Sequence, residues 1–113
     1  MNITAESYGR TVLLNINGEL NEDAINALHQ AVDHQMLSQD VVDVVLNMER
    51  VPFIDSAVLE YLLDLHDTLI KRLGQVKLAN CDENVTKILE MTRLNGDFEL
   101  FSDVAEAIKT IAP

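Results

Sequence analysis

Residues 53–60 read FIDSAVLE, an apolar stretch that ends on Asp55-Ser56 and restarts at once. Asp and Ser both stop strands and cap helices, through a side-chain oxygen that accepts a free backbone N–H. A serine at a helix N-terminus is also a favourable place for a phosphate, since the helix dipole and its unpaired N–H groups face the anion. A cap needs only one of the two residues. With Asp55 as the cap, Ser56 is the first helical residue and its hydroxyl points outward.

Other reactive side chains are sparse. Ser56, His66 and Asp67 stand in an order that suggests a nucleophilic triad. His66 lies ten residues along the same helix, about 15 Å from its start, and cannot serve Ser56 as a base. No G-x-S-x-G elbow surrounds the serine. His29 and His34 are five apart and do not share a helix face as a metal pair would, so the histidines are expected at the surface. Cys81 is the only cysteine. It precedes a helix, where a thiol can be activated, but reads more simply as a small residue at a strand end. The four glycines are isolated and form no phosphate-cradling loop. We expect no catalytic residues, no metal and no cofactor, hence no enzyme.

These side chains need a scaffold, and the chain has the means to build one. Its 113 residues fit one domain spanning 1–113, and 48% are hydrophobic with only 4% aromatic, so the core is aliphatic. A net charge of −11 argues against nucleic acid and anionic lipid surfaces, and leaves a basic protein surface open as a partner. The N-terminal residues do not form a signal peptide, and no apolar run approaches bilayer length, so direct membrane insertion is not expected. The lone cysteine suits a reducing cytoplasm.

Ile3 and Ala5 begin a short strand, residues 7–10 turn, and residues 11–16 form a second strand with Val12, Leu14 and Ile16 on one face and Leu13 on the other. So short a link makes the two antiparallel. Residues 22–37 carry helical spacing behind an Asn21 cap. Residues 41–48 read VVDVVLNM, a strand covered on both faces. A helix follows over 56–73, with Val58, Leu62, Leu65, Leu69 and Leu73 in one stripe widened by Leu59, Leu63 and Ile70, and Gly74 at C′. A strand over 76–79, a helix from Asp82 to Asn95-Gly96, a brief edge strand over 98–101 and a last helix with Val104, Ala107, Ile108 and Ile111 complete the chain. The order β-β-α-β-α-β-α-β-α predicts a small α/β domain. Its sheet is mainly parallel, with an N-terminal antiparallel hairpin strand and about four helices.

At this point the sequence resembles STAS domains, the anti-sigma factor antagonist fold. FIDSAVLEYLL is similar to the family's Asp-Ser-(Ser/Thr)-Gly-Leu/Val at the start of the second helix, and Gly18-Glu19-Leu20-Asn21 to its Gly-acid-Leu/Ile-Asp before the first. The resemblance covers essentially the whole chain. It implies a cytoplasmic partner-switching protein in transcription regulation. In such a switch Ser56 is phosphorylated by an anti-sigma factor that is also a serine kinase. The unphosphorylated form captures that partner and frees a sigma factor, and a serine phosphatase resets it. The implied contact surface comprises Asp55, Ala57, Val58, Leu59 and Glu60 with Glu19, Leu20 and Asn21. Three positions depart from the pattern: Ala57 replaces a second hydroxyl, Val58 replaces glycine at the expected contact, and Asn21 replaces Asp. An alternative within the resemblance is a non-enzymatic STAS accessory subunit of a membrane transporter.

Overall fold

A computed structural model describes residues 1–109. Strands β1 (Asn2–Tyr8) and β2 (Thr11–Asn17) form a hairpin closed by Gly9-Arg10, with Gly9 at φ 62. Then come a 3₁₀ turn (Glu22–Ala24), α1 (Ile25–Met36), β3 (Asp43–Arg50), α2 (Ser56–Lys71), β4 (Val76–Ala79), α3 (Glu83–Met91), β5 (Glu99–Phe101) and α4 (Val104–Lys109). The sheet order is β1-β2-β3-β4-β5, antiparallel between β1 and β2 and parallel thereafter. This is the predicted α/β architecture.

Alternation within the strands separates two cores. Val12, Leu14 and Ile16 join Val44, Leu46, Met48, Val76 and Leu78 under α1–α3 in one large aliphatic cluster. Leu13, Val45 and Ala79 meet Ala107 of α4 on the opposite face in a much smaller one. Lys77 is buried beneath α4, its Nζ donating to the Ala107 carbonyl at 3.3 Å and lying 5.7 Å from the Phe101 ring centre. On the same face a chain of side-chain hydrogen bonds runs from Asn80, just past β4, across β3 and β2 to β1. Asn80 donates to Asn47 (3.2 Å), Asn47 to Asn15 (2.9 Å), and Asn15 to the Glu6 carboxylate (3.0 Å).

Several expected boundaries move for local reasons. Asn21 makes no side-chain cap; its carbonyl accepts from Ala24 N–H at 2.9 Å, and the chain enters α1 through the 3₁₀ turn. Val41 and Val42 are buried but precede β3. Helix α2 ends at Lys71, and Leu73 rather than Gly74 takes the left-handed C′ position, at φ 66. Leu73 N–H bonds the Ile70 carbonyl and Gly74 N–H the Leu69 carbonyl, which closes a Schellman motif. Gly74 serves instead for close approach, because a Cβ there would lie 1.7 Å from the Val42 carbonyl oxygen. Leu73 and Ile70, expected in the core stripe, are 95% and 51% exposed. Helix α3 stops in the same way at Arg93 (φ 61), before Asn95-Gly96 is reached. Asp82 and Asp103 cap α3 and α4, accepting from Val85 and Glu106 N–H groups at 2.8 Å. Ile111 lies outside the described residues.

Candidate functional site

Beyond β3 the chain does not turn straight into α2. Residues 51–55 run on alongside the loop that follows β2. Gly18 N–H donates to the Arg50 carbonyl (3.1 Å), Leu20 N–H to Phe53 (2.9 Å), and Asp55 N–H to Leu20 (3.0 Å). Leu20 and Ile54 form an isolated parallel bridge, and both are buried. The two segments that carry the sequence motifs, 18–21 and 53–60, are thereby tied together by backbone. On the other flank Asn84 donates to the Pro52 carbonyl at 2.8 Å and ties in the start of α3.

Asp55 is the α2 N-cap. Its backbone is extended (φ −100, ψ 174) and its Oδ1 accepts from Val58 N–H at 3.0 Å. Ser56 is the first helical residue and is exposed, so its hydroxyl has no capping duty. Glu19 and Glu60 are also exposed, and Asn21, Asp55 and Ala57 are half-buried. A shallow depression lined by Met1, Glu19, Asn21, Asp23 and Ala24 adjoins the 18–21 loop.

The other expected contact residues face inward. Leu20, Val58 and Leu59 are 0%, 0% and 2% exposed and belong to the large core. The reason is helical phase. Val58 and Leu59 begin the stripe that Leu62, Leu65 and Leu69 continue, so the bulk at Val58 fills the core and adds nothing to the contact surface. The surface gains a residue instead. Phe53, 37% exposed, stands beside exposed Pro52 just ahead of the Asp-Ser pair. An aromatic next to a strand-breaking proline at the seam was the available sequence signal.

The remaining reactive groups have structural employment. His29 and His34 are exposed as expected, and His29 Nδ1 pairs with Asp33 at 2.7 Å. His66 is half-buried, unlike the expected surface histidine. Its Nδ1 accepts from Val76 N–H at 3.1 Å and its ring meets Phe98 edge-on. Burial, with the Asp82 carboxylate adding to it, pushes the Cys81 thiol up to about 11, the opposite of activation. Among the described residues no three His, Cys, Asp or Glu side chains are grouped to hold a metal. Among them, too, no helix is long and apolar enough to cross a membrane.

A sequence profile of the STAS domain matches residues 2–107. No curated protein matches the chain. Among solved structures, the anti-sigma factor antagonist SpoIIAA in its unphosphorylated form is 24% identical with a TM-score of 0.83, over 97% of this chain and 96% of that one. The phosphorylated form of the Bacillus protein is 22% identical with a TM-score of 0.75, over 98% and 100%. An anti-sigma factor antagonist from Mycobacterium paratuberculosis is 19% identical (TM-score 0.84, 97% and 92%). A sulfate transporter family protein from Wolinella succinogenes is also 19% identical (TM-score 0.74, 88% and 82%). At these identities the likeness to the solved structures is one of fold.

Proposed function

The chain belongs to the STAS domain family, and from that premise we propose that it is a regulatory binding module switched by phosphate at Ser56. Unphosphorylated, it captures a protein of the anti-sigma factor and serine kinase class and so frees a sigma factor. A serine phosphatase restores that form, and the cycle runs in the cytoplasm. The module itself is not an enzyme. The observation that carries the reading is the separation of roles at the seam. Asp55 holds the helix cap, and Ser56 presents an uncommitted hydroxyl at the N-terminus of α2.

A phosphate there adds about −1.5 to −2 charges at neutral pH. The first turn of α2 accepts it through its dipole and N–H groups, so the fold survives the modification. The effect falls on the surface around Ser56, which carries Glu19, Asp55 and Glu60 and offers Phe53 as an apolar contact. Added negative charge raises the desolvation cost for any partner that covers this surface, and repels acidic groups on it. SpoIIAA has been solved in phosphorylated and unphosphorylated forms, which supports carrying the switch over to this fold.

Incubation with native lysate and ATP, followed by peptide mapping, tests the assignment. Label is expected on the peptide containing Ser56. Stoichiometric label elsewhere, with Ser56 bare, overturns it. A second reading, an accessory STAS unit of a membrane transporter, draws on the fold likeness to the Wolinella succinogenes transporter family protein. Co-purification with a membrane transporter, independent of the state of Ser56, would favour it.

A further inference from the structure

Among the described residues no strand covers the outer edge of β1. In the described residues β1 pairs only with β2, over seven residues in unbroken register, from Asn2 with Asn17 to Tyr8 with Thr11. Tyr8 and Thr11 close a two-residue hairpin loop and form a hydrogen-bonded pair, so Asn2, Thr4, Glu6 and Tyr8 direct their backbone groups to β2. Ile3, Ala5 and Ser7 therefore direct theirs outward. The usual protections of such an edge are missing: β1 contains no Pro, no Lys and no bulge, and its one charge is Glu6.

The surface beside this edge is unusual for the molecule. A groove between β1 and α1 is lined by Ile3, Ala5, Ala27, Gln30, Ala31 and His34 among others, and none of its lining residues carries a carboxylate. The whole chain has 19 acidic residues and a net charge of −11. Two copies of so acidic a protein repel one another over most approaches, and a strip without carboxylates is where they repel least. A basic partner, by contrast, gains nothing from it.

We infer that β1 is a homodimerisation edge, pairing antiparallel with β1 of a second copy across a twofold axis at Ala5. The register is self-complementary. Ala5 meets Ala5 of the second copy, Ile3 meets Ser7, Asn2 meets Tyr8, and Glu6 meets Thr4 rather than another glutamate. The outward groups of residues 3, 5 and 7 supply about six interchain hydrogen bonds. The two sheets become one continuous sheet, with the carboxylate-free groove of each copy facing the seam. This inference does not depend on the role proposed for Ser56.

Sedimentation equilibrium of the full chain under reducing conditions tests it, with amide hydrogen exchange on the same samples. The mass is expected to rise from 12.6 kDa towards twice that value between micromolar and millimolar concentration. The dimer fraction should rise further when salt is raised to about 0.5 M, which screens the repulsion of the acidic surfaces. Exchange of the Ile3, Ala5 and Ser7 amides should slow at least tenfold with concentration. The Thr4 and Glu6 amides, bonded within the hairpin, should not change. Ala5→Pro removes an outward N–H without touching the hairpin ladder, and Ala27→Glu puts charge into the groove; each should weaken the dimer at least tenfold. A mass that stays at 12.6 kDa up to millimolar concentration overturns the inference. So does a dimer that leaves the three outward amides unprotected, or one that survives both variants.

Discussion

Asp55 takes the cap and leaves Ser56 free, and this asymmetry can be measured residue by residue. Asp55→Ala removes the acceptor for Val58 N–H and should cost about 1 kcal/mol. Ser56→Ala and Ser56→Asp touch no capping bond and should each stay within about 0.5 kcal/mol of wild type. Urea unfolding of the three variants gives the comparison; a Ser56→Ala loss as large as that of Asp55→Ala would make the serine structural. Binding should order the same positions differently. Against the captured partner, Ser56→Ala should keep its affinity, while Ser56→Asp should lose up to about 2–5 kcal/mol, the size of a charge defect within an interface. Calorimetric titration reads this directly, and equal affinities for both variants and for the phosphorylated protein would eliminate the switch. The Asp-Ser division of labour was legible in the sequence because capping is local chemistry. The inward facing of Val58 and Leu59 was also legible, from their place at the head of the leucine stripe. Taking the family motif as one continuous contact surface obscured it, since a motif on a helix is divided between core and solvent by phase.

Helix ends are the elements where sequence and structure part most. Glycine after a leucine-rich run is the standard signal for a left-handed C′ residue, yet at the end of α2 Leu73 holds that position and Gly74 follows it. What decides is long-range. Gly74 passes against the Val42 carbonyl, more than thirty residues away in the chain, and no local pattern reports such an approach. Leu73→Gly should therefore stabilise the protein by about 1 kcal/mol, since the side chain is 95% exposed and left-handed backbone is costly for leucine. Gly74→Ala should destabilise it by about 2 kcal/mol or more, because backbone must move. Thermal unfolding of the pair checks both signs, and a destabilised Leu73→Gly would refute the conformational argument. Elements whose signal is internal alternation or a 3.6-residue period were found near their expected places, as with β2, β4 and the body of α2.

For the molecule as a whole, two half-buried weak acids set an alkaline limit. The Tyr61 hydroxyl is pushed up from 10.0 to about 12, first by burial and then by Asp33, and the Cys81 thiol from 9.0 to about 11. The unfolded chain sheds these protons earlier than the folded one. Stability should thus fall as pH rises from about 9 to 11 through Cys81 and from about 10 to 12 through Tyr61. Below pH 9 neither group contributes a slope. Cys81→Ala should flatten the first window and Tyr61→Phe the second, read as urea midpoints across the pH series; slopes unchanged in both variants would contradict the assignment. Strand order carries a further consequence for how this molecule comes into being. The sheet reads β1-β2-β3-β4-β5, the order in which the chain is synthesised. Each new strand therefore docks on the exposed edge of the one made just before it, and none has to be inserted between strands already joined. A chain leaving the ribosome can build its sheet progressively from the N-terminal hairpin, each step closing only the loop of the helix just completed.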